Sequence, residues 1–283
     1  MSIYKSVIWV PSDRSGATDM ASELESFLIA NPGHEITVAP GSTILLRSVG
    51  QLNSSLLGYS GTIDLGETII LQDNDAPCFE FDNTSNASAE VNVSSITDEN
   101  IGITRTSRIE LASTLNAEAH DFIAIYSDDA NPSKAGGQLG EIFQLIQDES
   151  TLYLNSTMPI ARSDLWLTNV KARKLSSAEK LVIKGGIYKS NGNADDELIT
   201  DREPCVVLRG YIDWDIVEPV FDAPWTTCVR IECCAMGQQF RQRVKNTLNN
   251  AGSNGYTYGI QFYGMNLGNV PINPTVRHRR HPA

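Results

Sequence analysis

Two acids two residues apart, Asp213 and Asp215, stand in the strand-like run Tyr211-Ile212-Asp213-Trp214-Asp215-Ile216. In an extended strand, residues i and i+2 share a face about 6 to 7 Å apart. Paired carboxylates cleave glycosidic bonds from about 5 Å apart with retention, or about 6.5 to 9.5 Å apart with inversion. One of two such close carboxyls takes a raised pKa and serves as the proton donor. If the chain cuts sugars, Asp213 and Asp215 are the catalytic candidates, and Glu218, Asp222 and Glu232 come next. Trp214 and Trp225 are candidates for stacking on sugar rings, since an indole offers a broad apolar face. The competing reading makes the same run an outward polar face with Trp214 turned inward.

Other clusters carry less chemistry. Asp195-Asp196-Glu197, followed by Asp201 and Glu203, supplies hard oxygens for Ca²⁺ but lacks the spacing of a calcium loop, so it reads as a solvated turn. Trp166 is a third indole able to stack on a sugar, with burial as the alternative. A lyase needs a base near the sugar C5 and a cation for the uronate, which His278, Arg279, Arg280 and His281 offer at the chain end. The sequence holds no H-E-x-x-H, G-x-S-x-G or Walker-type phosphate loop, which removes zinc-protease, serine-hydrolase and nucleotide-binding readings. Cys78, Cys205, Cys228, Cys233 and Cys234 are odd in number and lack metal spacing, so they read as reduced, mostly buried small residues. No metal and no cofactor is expected.

The chain has 283 residues, 41% of them hydrophobic, enough for one large domain or two smaller ones. Its net charge of −12 gives a field that repels a nucleic-acid backbone, and the one basic cluster, Arg277 to His281, reads as a solvated tail. No nucleic-acid partner is therefore expected. The lack of an apolar run of about 18 residues predicts no membrane span. The segment Met1 to Pro11 is too short in apolar residues for a secretory signal, which predicts synthesis and folding in a cytoplasm.

These residues must be positioned by short strands. From Asp13 to Leu46 the order is a turn, a helix near residues 20 to 30, the strand His34 to Val38, the corner Ala39-Pro40-Gly41 and the strand Ser42 to Leu46. Asp19 caps the helix, Glu23 complements its dipole, and Leu24, Phe27 and Leu28 form one apolar stripe that covers the end of a strand stack. From Leu181 onward, strands starting at Leu181, Cys205, Cys228 and Tyr258 recur roughly 23 to 30 residues apart, which suits coils of a solenoid. Phe240, Val244 and Leu248, at i, i+4 and i+8, predict a short helix within 238 to 254. The runs Asp121 to Tyr126, Gly140 to Ile146 and Ser150 to Leu154 alternate like a small antiparallel element. The expected division is 1–35 for the N-terminal segment and capping helix, 36–104 for the first coils, 105–175 for an inserted β-subdomain and 176–283 for further coils.

The turn Asp13-x-x-Gly16-Ala17-Thr18-Asp19, the helix from Met20 and the corner Val38-Ala39-Pro40-Gly41 resemble the opening segment of the pectate-lyase-like right-handed parallel β-helix superfamily, to which phage tailspikes and depolymerases belong. The region His120 to Leu154 is similar to the small β-insert of many of those phage proteins, and Tyr258 to His281 resembles one of their coils. The resemblance implies a mainly β fold: a right-handed parallel β-helix with an N-terminal capping helix and a small inserted antiparallel β-subdomain. It implies a virion tail protein, tailspike or tail fibre, made in the host cytoplasm, that binds and in some members depolymerises a bacterial surface polysaccharide. Other virion tail proteins and a homotrimer are the partners it implies. The scaffold carries lyases, hydrolases, epimerases and non-catalytic binders alike, so a structural or adaptor virion protein and a bacterial pectate-lyase-like enzyme stand as alternatives. Few residues precede the capping helix and the sequence stops after a strand-like segment, so the chain reads as part of a longer protein.

Overall fold

The computed structural model describes residues 5–51, 53–72, 76–101, 104–130, 138–155, 169–176, 180–190, 203–222, 227–245, 259–263 and 266–276. The fold is mainly β. A first seven-stranded sheet sets Ser6–Trp9, Glu35–Val38, Gly61–Asp64, Leu181–Lys184, Trp214–Val217, Gln238–Phe240 and Val270–Ile272 side by side, all parallel. A second holds Ser15–Asp19, Thr43–Leu46, Ile69–Gln72, Ile187–Ser190, Val220–Asp222, Arg243–Lys245 and Thr275–Val276, again all parallel. A third, four-stranded parallel sheet holds Phe79–Asp82, Val206–Arg209, Val229–Glu232 and Ile260–Tyr263. The chain visits the sheets in that order and then returns to the first; the circuits begun by Gly61–Asp64, Leu181–Lys184, Trp214–Val217 and Gln238–Phe240 add one strand to each sheet, while those begun by Ser6–Trp9 and Glu35–Val38 add strands to the first two only.

The strands are too short to bury a face singly, and stacking supplies the burial. On the first sheet Ile36, Ile63, Ile183 and Ile216 are in register and lie 0% to 1% exposed. Ile44, Ile70, Tyr188, Phe221 and Val244 form the matching column of the second sheet. On the third, Phe79, Val206 and Val229 form one column and Phe81, Leu208 and Ile231 another, all fully buried. The three sets share one continuous core. Each side chain of this size contributes about 1.5 to 3 kcal/mol when withdrawn from water. Period-two alternation at the strands and parallel pairing across circuits are therefore one constraint seen twice.

The helix, Ala21–Ala30, follows the first strand of the second sheet, where later circuits carry a strand of the third. Leu24 and Leu28 are fully buried in the shared core, with Phe27 packed beside them. Asp19 lies just outside the helix and its Oδ1 accepts from the Ala21 amide at 3.0 Å. Glu23 accepts from the Trp9 indole at 3.1 Å and the Ser12 amide at 3.0 Å, so it ties the helix to the first strand. Before it, Asp13 accepts from the Ser15 hydroxyl at 2.6 Å, the Ser15 amide at 2.8 Å and the Thr18 amide at 2.6 Å. These bonds, the Ser15 hydroxyl foremost, hold the Asp13 carboxyl down to about 2.

Between the third-sheet strand Phe79–Asp82 and Leu181–Lys184, the chain leaves the stack to form a six-stranded sheet. Its strands, in spatial order, are Gln138–Gln144, Phe122–Ala130, Lys171–Lys174, Val91–Ile101, Thr104–Leu111 and Tyr153–Asn155, all antiparallel. One face packs on its own core of Ile109, Leu111, Ile123, Ile125, Phe143 and Leu145. The other packs Ala124, Tyr126 and Ile142 on Ile212 and Ala235 of the stack.

Three sequence expectations change here. Val91–Ile101 belongs to the antiparallel sheet, so that sheet starts upstream of the boundary placed at residue 105. Its tip is polar and the register slips between Val93 and Ser95, which hid the strand from an alternation search. The helix expected within 238 to 254 is replaced by the strands Gln238–Phe240 and Arg243–Lys245, with residues 246–258 outside the described ones. A four-residue spacing also fits two strands around a corner: Arg241, at φ 50, turns the chain, and Val244 points into the core. Finally, Leu181–Lys184 and Val206–Arg209 lie in different sheets of one circuit, so the first interval of the repeat series is not a full circuit.

Among the described residues no helix is long and apolar enough to cross a membrane. Cys78, Cys205, Cys228 and Cys234 are buried, Cys233 is partly so, and no two of the five are joined as a disulfide. Burial pushes the Cys205 thiol up to about 12. Truncating Leu24 to Ala should open a cavity at the end of the shared core and lower stability by about 2 to 5 kcal/mol in urea denaturation; an unchanged midpoint would place the helix outside the cooperative core.

Candidate functional site

The strand Trp214–Val217 starts three residues later than the run Tyr211 to Ile216 suggests, so Asp213 lies outside it. Asp213 precedes it at φ 61, a left-handed conformation, while Trp214 turns inward and is 0% exposed. The proposed stacking role of Trp214 is corrected on that ground, because no sugar ring reaches a side chain sealed in the core. A Cβ at Gly237 would overlap the Trp214 indole, so glycine is required on the adjacent circuit.

Asp213 and Asp215 do converge, and a cation joins them. Lys180 Nζ lies 2.9 Å from a carboxylate oxygen of each. Partial burial works against the Lys180 charge, yet its hydrogen bonds to the two aspartates and their negative charge outweigh this, and its pKa is raised. The remaining acids repeat the pattern. Glu218 Oε1 meets Arg241 Nη1 at 3.0 Å, and Asp222 meets Lys189 Nζ at 3.8 Å. Glu232 meets Arg209 Nε at 2.7 Å and Arg230 Nη1 at 3.8 Å. Every candidate acid is thus held by a cation, in most cases one from a neighbouring circuit.

The largest of these assemblies lies on the third sheet. Arg209 pairs with Glu232 on one side and, through Nη1, with Glu80 on the other. Arg230 reaches Glu203 at 3.5 Å. Glu80 is nearly buried, its side chain 6% exposed, and its pairing with Arg209 is the compensation that such burial demands. Burial opposes the Arg209 charge, but the two glutamates more than offset it and raise its pKa further. The register explains the meeting: Glu80, Val207 and Arg230 share one position across three strands, and Asp82, Arg209 and Glu232 share another. Sequence reasoning found Glu232 but missed Glu80, Arg209, Arg230 and Lys180. A usable signal was present, since Phe79-Glu80-Phe81, Leu208-Arg209 and Val229-Arg230-Ile231-Glu232 all alternate apolar with charged residues.

Cys233, next to Glu232, packs against the inserted sheet in the cluster that holds Phe122, Ala124 and Ile142. The ion ladder therefore lies at the foot of that insert. The open groove of about 540 Å³ lined by Ile8, Trp9, Val10, Glu23, Ser26, Phe27 and Ala30 contains none of the candidate acids. Among the described residues no three His, Cys, Asp or Glu side chains converge to hold a metal. Trp166, Trp225, Asp195, Asp196, Glu197, Asp201, His278, Arg279, Arg280 and His281 lie outside the described residues.

Asp213, Asp215, Glu218, Asp222 and Glu232 are each paired with a lysine or arginine rather than with another acid. What the array does directly is join circuits and present alternating charge along the stack. Replacing Arg209 by Leu should leave Glu80 and Glu232 without their shared cation and lower stability by about 3 kcal/mol, the low end for breaking a buried pair because the arginine keeps 27% exposure. Urea denaturation checks this, and a loss well under 1 kcal/mol would show the ladder to be ornamental.

No family model and no curated protein matches the chain. Solved structures do. The tailspike of Acinetobacter baumannii bacteriophage AP22, in complex with A. baumannii capsular saccharide, aligns over 92% of this chain and 44% of its own with a TM-score of 0.50 and 11% identity. The tailspike of Pseudomonas phage phi297 aligns over 87% of this chain and 38% of its own, with a TM-score of 0.44 and 10% identity. The chain thus spans less than half the length of either. With parallel sheets visited in fixed order, the likeness identifies a tailspike-like fold.

Proposed function

We propose that the chain is the body of a bacteriophage tail protein, a right-handed parallel β-helix whose outer surface binds a bacterial surface polysaccharide. The observation that carries this reading is the likeness over 92% of the chain to a tailspike that holds a capsular saccharide. The three-sheet circuit supports it, because such a stack offers long flat faces along which successive sugars of a polymer can lie. The place of action is then the virion tail, after synthesis in the host cytoplasm, with other tail proteins as partners and a homotrimer as the assembly. Side-by-side association of three stacks would also cover outward apolar residues such as Val270, 48% exposed.

The ion-paired state of Asp213, Asp215, Glu218, Asp222 and Glu232 favours binding without cleavage at the described residues. Depolymerisation remains a separate question for the same experiment. The purified chain is incubated with a panel of bacterial capsular polysaccharides and lipopolysaccharides. Retention of the polymer is scored alongside new reducing ends and the absorbance of unsaturated uronates. Retention without new ends is expected, and light scattering of the same sample should give the mass of three chains. No retention by any polymer of a matched host would favour a structural or adaptor role in the virion. If ends do appear, Asp213→Asn and Asp215→Asn should each cut turnover by orders of magnitude; full activity in both would move the search to Glu218, Asp222 and Glu232.

A further inference from the structure

The strands of the three parallel sheets hold most of their cations in ion pairs. Lys184 Nζ lies 2.8 Å from Glu35, Lys189 Nζ 3.8 Å from Asp222, Arg209 Nε 2.7 Å from Glu232 and Arg230 Nη1 3.5 Å from Glu203. Arg243 and Lys245 differ. They flank the buried Val244, both are exposed, and among the described residues neither is paired with a carboxylate.

The register explains the difference. Lys245 stands beside Asp222, but Asp222 already meets Lys189 on its other side. Arg243 stands beside Val220, and Ile187 and Ile69 continue that row, all three partly exposed. An aliphatic column thus runs along the outer face of the second sheet and ends at two solvent-facing cations. In the sequence, Arg277, Arg279 and Arg280 follow the strand Thr275–Val276, which pairs with Arg243 and Val244. The chain as a whole has the opposite sign, with a net charge of −12. A polyanion is therefore repelled over most of the surface and attracted where unpaired cations gather, over a Debye length of about 8 Å. A guanidinium offers a planar fork to two oxygens of a carboxylate or phosphate, and a lysine adds a point charge beside it.

We propose that this end of the second sheet takes the anionic groups of an acidic polysaccharide. Arg243 and Lys245 hold its carboxylate or phosphate oxygens, and Val220 and Ile187 lie under the apolar faces of its sugar rings. The inference rests on the polysaccharide reading above and narrows it to acidic polymers, since a neutral polymer leaves both cations without a partner. Duplex DNA supplies phosphates but keeps its ring faces stacked inside, away from the aliphatic column.

Retention on the immobilised chain tests this, with uronate-bearing capsules, phosphate-bearing lipopolysaccharides, neutral capsules and duplex DNA as probes. Acidic polysaccharides should be held and neutral ones released, and the uronate and phosphate arms show which anion is preferred. Arg243→Thr combined with Lys245→Thr should weaken acidic retention about tenfold or more. Its melting temperature should match the wild type, because both side chains are exposed. Lys5→Thr combined with Lys184→Thr, which removes the same charge elsewhere, should leave retention unchanged. Reducing the uronates of a retained capsule to neutral sugars should release it. Retention of neutral polymers alone, equal retention by the two double variants, or DNA held as tightly as the acidic glycan overturns this inference and leaves the polysaccharide reading standing. No retention of any polymer overturns both.

Discussion

Everything in this molecule depends on the parallel register between successive circuits. The backbone ladder fixes which residue sits on which, and the core columns follow: isoleucine on isoleucine along the first sheet, and the aromatic pair Tyr188 and Phe221 stacked at 4.9 Å on the second. The same ladder sets the outer surface, because residues that do not face the core must line up too. Arg209 meets Glu80 and Glu232, and Lys180 meets Asp213 and Asp215. Core and surface are two faces of one pairing pattern, and a slip of one residue would expose the first while breaking the second.

This pattern bears on function. The outward acids of the stack are tied to cations of neighbouring strands, so ion pairs join one circuit to the next. Under the proposed function, a polymer would be held on this surface by hydrogen bonds spread over several sugars. The insert adds a wall beside the ion ladder through its contacts with Ile212, Cys233 and Ala235. Because it enters between two circuits, the strands before and after it still pair: Gly61–Asp64 with Leu181–Lys184, and Ile69–Gln72 with Ile187–Ser190.

Much of the scaffold was legible in the sequence because its signals are local. The helix stripe Leu24, Phe27 and Leu28, the corner at Pro40-Gly41 and the runs around Phe79, Val206 and Val229 each declare themselves within a few residues. Phe240 and Val244 misled because a spacing of four is common to a helix face and to two strands around a corner. The site was legible only in part. Asp213 and Asp215 could be paired from their spacing, but Lys180 belongs to another circuit, and Glu80 lies across the whole insert from Arg209. Contacts of that reach are set by register, which one sequence does not display. Trp214 could be read either way, and the alternation placed it inward.

The central claim is that the chain is a three-sheet stack held by circuit-to-circuit register, with the right-handed winding as proposed above, and an experimental crystal structure tests it most directly. The account predicts Phe79, Val206, Val229 and Ile260 in one inward column of a parallel sheet, with Arg209 between Glu80 and Glu232 on its outer side. A closed antiparallel barrel, a layered α/β sheet or a left-handed winding would contradict it.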